Sequence, residues 1–167
     1  NANCDLVLMG TIHRDTILVL EAARKMGWSG VDWVGNNAVY AQVIADQGSG
    51  EGFYSFVHMA KLYADDEMSP DVKDWWDSYV EKYEVEPGLA AMEGYRGADL
   101  TVVALERAGP ELTTEGLVQA LESITDYTDI FGYRISFGPK KHSGATESVL
   151  SQVQNGRWTT LEQGITY

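Results

Sequence analysis

The 167-residue chain is long enough for one domain with a substantial core and marginal for two, and its 44% of hydrophobic residues predicts a globular protein. Its formal net charge of −13 repels phosphate backbones and anionic lipid surfaces, so we expect no nucleic-acid partner and no binding to lipid headgroups. The single cysteine, Cys4, excludes an intrachain disulfide and a zinc site built from several thiolates.

The first sixty residues alternate between strand-like and helix-like patterns. Short apolar runs predict strands at 4–10, 31–35 and 52–60, and the stretches between them, 11–27 and 38–48, predict helices. An order of β-α-β-α-β predicts a parallel sheet with right-handed crossovers. We therefore expect an α/β fold in this part of the chain.

Three amphipathic helices are predicted next, within residues 70–83, 87–110 and 112–124. Ser69 and Thr113 precede the first and the third of them and are good N-cap residues. Gly94 and Gly97 fall inside the second helix, where each costs roughly 1 kcal/mol relative to alanine. We expect close backbone packing at these two glycines as the compensation.

The tail of the chain returns to strand patterns. Alternating apolar residues predict a strand at 132–138, and the segment 148–162 predicts two strands joined at Asn155-Gly156. An Asn-Gly pair favours the tight turns that connect antiparallel strands. We therefore expect a β-hairpin at the end of the chain.

Small polar residues follow each of the three N-terminal strands. Because the carboxyl ends of parallel strands open at one edge of a sheet, these residues are expected to share a crevice. Amides and hydroxyls do not titrate near neutral pH, so the set favours hydrogen bonding to a small polar ligand over proton transfer. The candidate ligand-binding residues are Gly10, Thr11, Ile12, His13, Asn36, Asn37 and His58. Alternatively, Asn36 and Asn37 only cap the helix predicted to begin near Ala38.

Other kinds of site lack their sequence motifs. No histidine has a second histidine or a carboxylate three or four residues away, so we predict no metal site. The chain has no G-x-S-x-G motif, and the glycine-rich stretch 48–52 has no lysine for a phosphate. The aromatic residues of the stretch 73–83 are predicted to pack between helices rather than to stack on a sugar or a base. We predict neither an enzyme nor a bound cofactor.

Three longer segments, in this order, resemble one protein family. They are EGYRGADLTVVALERAG (93–109), LTTEGLVQALESI (112–124) and FGYRISFGPKKHSGATESVLSQVQNGRW (131–158). Together with the order of elements, they resemble the C-terminal half of type I periplasmic solute-binding proteins of the branched-chain amino acid ABC-transporter class, of which leucine-binding proteins are members. The resemblance covers nearly the whole chain.

The resemblance implies a fold of two α/β lobes that close on a ligand. It places residues 1–66 in the second lobe, 67–131 in helices that return to the first lobe, and 132–167 in the closing crossover and a hairpin tail. The chain opens directly into a strand without a methionine. We therefore expect an incomplete fold whose partner is the N-terminal half of the same protein.

The family's second-lobe ligand contacts would fall on Thr11, Ile12 and His13 after the first strand, and on Asn36 and Asn37 after the second. Members that bind amino acids usually have a carboxylate near the position of Asn37 and an aromatic residue near that of Ile12. Both are absent here. The resemblance thus implies a small polar ligand, whether an amino acid, an amide or an organic acid, other than an ordinary branched-chain amino acid.

The implied function is that of the solute-binding component of an ABC importer, which works by lobe closure with a membrane permease as partner. The implied location is the periplasm, or the cell exterior with a lipid anchor, and the signal peptide would lie outside this chain. Two alternatives stay open. One is the ligand-sensing domain of a receptor with the same fold, and the other is a flavodoxin-like or Rossmann enzyme.

Overall fold

The computed structural model describes residues 4–166, so the first three residues and the last one, which belong to the predicted segments 1–66 and 132–167, lie outside the description. The described helices are His13–Lys25 (α1), Gln42–Ala45 (α2), Pro70–Tyr83 (α3), Leu89–Ala108 (α4) and Thr114–Glu122 (α5). The described strands are Leu6–Met9 (β1), Asp32–Gly35 (β2), Tyr54–Val57 (β3), Tyr127–Thr128 (β4), Arg134–Ile135 (β5), Glu147–Gln154 (β6) and Arg157–Thr166 (β7).

The chain forms two compact units. The first joins the part up to Ala60 with the part from Glu147 onward, and the second is Lys61–Thr146. The predicted segment boundaries after residues 66 and 131 concern the lobes of a longer protein, and they stay predictions.

The first unit is built on a five-stranded sheet with the order β1-β2-β3-β6-β7. The pairs β1-β2 and β2-β3 are parallel, as the β-α-β pattern predicts, and β6 and β7 extend the sheet with antiparallel pairs. The turn between β6 and β7 has positive φ angles at Asn155 and Gly156, of 55° and 75°. The predicted mixed α/β fold and its hairpin are confirmed.

The two faces of this sheet differ in burial. Met9, Ser55 and Val57 lie on one face and are at most 7% exposed, and buried residues of α1 such as Leu20 add to that core. The opposite face includes Leu6, Leu8 and Phe56, which are 49%, 75% and 43% exposed. Parallel sheets are normally covered on both faces, so half of the usual cover of this sheet is absent from the described chain.

The prediction of one continuous helix over 38–48 is wrong. The segment instead contains a 3₁₀ turn at Asn37–Val39, the four-residue α2 and a second 3₁₀ turn at Gly48–Gly50. Tyr40 and Ala41 interrupt the helix because their backbones leave the helical region, with ψ angles of 74° and 145°. Trp158 of β7 holds them there: its ring lies 4.5 Å from that of Tyr40, and its Nε1–H donates to the Ala41 carbonyl at 3.0 Å.

The second unit contains the three predicted helices, α3, α4 and α5. Ser69 Oγ accepts from the backbone N–H of Val72 at 3.4 Å, and Thr113 Oγ1 accepts from that of Gly116 at 3.0 Å. Both predicted N-caps are confirmed. The prediction of a strand over 132–138 is wrong in length, because within this segment only the two-residue β5 forms. The Phe137 N–H donates to the Ile124 carbonyl at 2.7 Å, a loop contact in place of a hydrogen bond between strands.

Two further predictions concern these helices, and the one about the glycines is wrong. A Cβ added to Gly94 or Gly97 would meet no atom within 4 Å, so close packing at these glycines is absent from the described chain. Of the aromatic residues of α3, Trp76 is buried as predicted. Trp75 packs against Tyr95 of α4, with ring centroids 5.5 Å apart, so the predicted packing between helices is confirmed for these two tryptophans. Tyr79 and Tyr83 form an open groove of about 300 Å³ together with Trp75 and Tyr95.

A buried polar cluster links α4 to the small β4-β5 sheet. Arg96 Nε lies 2.7 Å from Asp129 Oδ2, at ion-pair distance but without the alignment of a hydrogen bond. Asp129 Oδ1 accepts from the Tyr133 backbone N–H at 2.9 Å, and the Tyr127 hydroxyl donates to Asp99. Burial raises the pKa of Asp129, while the Tyr133 N–H and the Arg96 charge oppose that rise.

Candidate functional site

The predicted ligand residues lie at one edge of the first unit's sheet. Met9 pairs with Gly35, and Gly35 pairs with Ser55, so the three strands stand side by side with their carboxyl ends on the same edge. Loops leave the sheet just beyond this row and present the seven residues predicted from the sequence. Their role in binding a ligand stays a prediction.

The loop after β1 is fixed by a buried threonine that the sequence analysis did not select. The Thr16 hydroxyl, which is fully buried, donates to the Ile12 carbonyl at 3.0 Å. Its oxygen lies 2.6 Å from that of Thr11. Because Thr16 has already used its only proton, Thr11 must be the donor in this pair. The Thr11 oxygen therefore remains available only as an acceptor.

The start of α1 borders the predicted crevice. Its N-cap residue, Ile12, makes no side-chain capping hydrogen bond and is 53% exposed, and His13 is exposed as the first helical residue. The first backbone N–H groups of a helix lack intrahelical partners and carry partial positive charge. This end of the site therefore suits an anionic or carbonyl oxygen. Gly10, just before it, is also exposed.

The two amides after β2 have different roles. Asn36 Oδ1 accepts from the Ala38 N–H at 3.0 Å and so caps the first 3₁₀ turn. The Asn36 carbonyl also accepts from the buried Ser55 hydroxyl at 2.9 Å. Asn37 Oδ1 lies 3.1 Å from His58 Nδ1, which joins the loops after β2 and β3. The capping alternative thus describes Asn36, whereas Asn37 faces another candidate residue.

Charge is scarce among these residues. None of the seven is a carboxylate, and the nearest acid in sequence is Asp15, in the first turn of α1. Among residues 4–166, no group of three or more His, Cys, Asp or Glu side chains is placed to hold a metal ion. None of the helices formed by these residues is long and apolar enough to cross a membrane.

Comparison of the sequence with protein families identifies the family to which the chain belongs. Residues 1–157 match the family described as Periplasmic binding protein. The chain belongs to the periplasmic binding protein family. No curated protein sequence matches it. The family expected from the sequence is confirmed.

Solved periplasmic binding proteins share the fold at low sequence identity. A leucine-binding protein from Thermotoga maritima is 20% identical with a TM-score of 0.77, and the match covers 96% of this chain and 45% of that protein. A branched-chain amino acid ABC transporter from Thermus thermophilus with bound valine is 19% identical with a TM-score of 0.77, and the match covers 99% of this chain and 47% of that protein. A fatty acid ABC transporter substrate-binding protein from Thermomonospora curvata is 25% identical with a TM-score of 0.77, and the match covers 97% of this chain and 43% of that protein.

This periplasmic binding protein chain thus spans less than half the length of each of these three structures. The partial coverage agrees with the bare sheet face of the first unit. The predicted fold class, a lobe of a type I periplasmic binding protein within an incomplete fold, is confirmed at this level.

Proposed function

We propose that the protein is the solute-binding component of an ABC importer and that the crevice at the carboxyl edge of the first unit's sheet forms one wall of its ligand site. The observation that carries this proposal is the convergence of three loops with uncharged polar groups at one edge of the sheet, in a chain of the periplasmic binding protein family. Closure of a second lobe over this edge would trap the ligand without covalent chemistry.

The polar groups of the crevice favour a ligand that offers oxygen atoms. The uncapped first turn at Ile12 supplies backbone N–H donors, and the Asn37 amide can donate through its NH₂ group. No predicted contact offers a carboxylate for an ammonium group, and a buried charge without a partner is costly. We therefore propose an organic acid or a neutral amide as the ligand. The fatty acid-binding relative supports an acid without an ammonium group.

The remaining part of the binding site would come from the N-terminal half of the same protein. Two exposed apolar surfaces support this proposal: the sheet face with Leu8 and Phe56, and the aromatic groove of α3 and α4. Soluble proteins rarely leave such surfaces uncovered. Each would be buried by the segments that the longer relatives possess.

The other parts of the proposal follow from the family. The partner would be a membrane permease, and the location would be the periplasm, or the cell exterior with a lipid anchor. We propose no enzymatic activity, since the Thr11 hydroxyl donates to Thr16 and not to a base that could activate it.

Calorimetry on the full-length protein tests the ligand class. Leucine, 4-methylpentanoate and 4-methylpentanamide share one apolar body and differ in their charged groups. We expect the acid or the amide to bind more tightly than leucine, and Asn37→Ala to weaken that binding. Asn36→Ser is the matched control, because serine keeps the cap. Sub-micromolar leucine binding that survives Asn37→Ala would contradict the proposal.

A further inference from the structure

A cavity of about 550 Å³ lies in the first unit at the amino ends of β2 and β3, the opposite end of the sheet from the candidate ligand site. Buried apolar side chains line its inner part, among them Leu20, Ala23 and Phe53. Trp28 and Trp33 line it as well, with ring centroids 5.1 Å apart in an edge-to-face arrangement. The volume and the aromatic lining suit a small ligand with a flat apolar body.

A positively charged group is held in place at this cavity. Arg24 Nε donates to the Ser49 carbonyl at 3.1 Å, and Arg24 Nη2 donates to the Glu51 carbonyl at 2.9 Å. These two bonds orient the guanidinium but do not neutralise it. Within the described part of the chain Arg24 has no ion pair, so its charge and its remaining N–H groups are available to a carboxylate.

Two further polar groups of the cavity lack partners among residues 4–166. The Ser49 hydroxyl oxygen is buried without a hydrogen bond. The Asp32 carboxylate, on the first residue of β2, has neither an ion pair nor a hydrogen bond. Glu51 differs, since its Oε1 accepts from the Asn155 backbone N–H at 3.0 Å. An unpaired buried hydroxyl costs free energy unless a ligand or water satisfies it.

We propose that this cavity is a second ligand site that binds a small zwitterion with an aromatic body. The ligand carboxylate would meet Arg24 and Ser49, its ammonium group would meet Asp32, and its ring would lie against Trp28 and Trp33. Arg24 and Asp32 are both exposed, so their charges act on the ligand by attraction and repulsion. Asp32 would repel the carboxylate of an anion that lacks an ammonium group. Arg24 would repel a cation that lacks a carboxylate, and such a ligand would leave the buried Ser49 hydroxyl unpaired.

Three probes with the same ring test this charge pattern in the full-length protein by calorimetry. Phenylalanine is the zwitterion, 3-phenylpropionate is the anion and 2-phenylethylamine is the cation. We expect phenylalanine to bind at least about tenfold more tightly than either of the others, since each lacks one charged hydrogen-bonded contact. Equal affinities for the three probes, or no binding of phenylalanine, would overturn the proposal.

Matched variants assign the binding to this cavity. Asp32→Asn keeps the side-chain shape and removes the charge, so we expect about tenfold weaker phenylalanine binding and no loss for 3-phenylpropionate. Ser49→Ala should weaken both probes. Asn37→Ala, at the opposite edge of the sheet, should leave phenylalanine binding unchanged. If phenylalanine binding is lost in Asn37→Ala and kept in Asp32→Asn, the crevice is its site and the second-site proposal fails.

Discussion

Asn37 Oδ1 lies 3.1 Å from His58 Nδ1, and this contact joins the loops that follow two neighbouring parallel strands. An amide oxygen only accepts hydrogen bonds, so Nδ1 is the protonated nitrogen of His58 in this contact. The pair fixes the orientation of the Asn37 amide and directs its oxygen toward the histidine. The Asn37 NH₂ group is then the part of this side chain that can serve a ligand.

The first prediction concerns this pair. We expect His58→Ala to weaken the binding of 4-methylpentanoate about five- to tenfold, because the Asn37 amide loses the contact that orients it. In the double variant Asn37→Ala/His58→Ala, the loss should be smaller than the sum of the single losses, since the two residues act through one contact. Calorimetry on the four proteins measures this coupling. Strictly additive losses would show that the two residues act independently.

The second prediction concerns the threonine beneath the first loop. Thr16→Val keeps the shape of the side chain but leaves the Ile12 carbonyl and the Thr11 hydroxyl without their buried partner. We expect the free energy of unfolding to fall by about 1–3 kcal/mol. Urea denaturation measures the change, and Thr16→Ser, which retains the hydroxyl, is the control. Equal losses in the two variants would assign the effect to packing instead of hydrogen bonding.

Elements with local signals could be predicted from the sequence. Ser69 and Thr113 cap their helices with their own side chains, and Asn155-Gly156 supplies the positive φ angles of its turn. The helix predicted at 38–48 failed because Trp158, 117 residues further along than Ala41, fixes the backbone there. No local pattern could contain that contact.

The candidate site was predictable to a similar extent. The order of strands and helices was enough to place the loops after β1, β2 and β3 at one edge of the sheet. The roles of individual side chains were not predictable, because Asn36 and Asn37 are adjacent and chemically identical. Their separation into a cap and a histidine partner depends on the positions of Ala38 and His58 in three dimensions.

The third prediction concerns the bare face of the sheet. In the 167-residue chain, Leu8→Lys should reduce self-association and the binding of hydrophobic dyes, because Leu8 is 75% exposed. In the full-length protein the same change should destabilise the fold, since the lysine would be buried by the other half. Leu18→Lys, on α1 and 57% exposed, is the control and should be neutral in both proteins. A neutral Leu8→Lys in the full-length protein would mean that this face stays uncovered.

The fourth prediction uses the two glycines of α4. Space is open around Gly94 and Gly97, and neither has a positive φ angle. Gly94→Ala and Gly97→Ala should therefore each stabilise the 167-residue chain by about 0.4–1 kcal/mol, through the smaller backbone entropy of the unfolded state. Thermal unfolding measures the gain. If the gain turns into a loss in the full-length protein, a segment of the other half packs against these glycines.

The last prediction concerns the buried Asp129, whose side chain is 1% exposed. Burial raises its pKa above the ordinary value of 3.8, so the folded state binds this proton more tightly than the unfolded state does. The stability that this proton contributes is fully present below pH 3.8 and is lost as the pH rises through the folded-state pKa. Each pH unit between the two pKa values costs about 1.4 kcal/mol.

Asp129→Asn removes this titration, so wild type should lose stability relative to the variant as the pH rises from 3.8. Urea denaturation of both proteins at a series of pH values up to 7 measures the difference. Asp99→Asn is the control for the neighbouring carboxylate, which accepts from the Tyr127 hydroxyl. Should wild type instead gain stability relative to Asp129→Asn over this range, the ion pair with Arg96 would outweigh burial and the Asp129 pKa would be lowered.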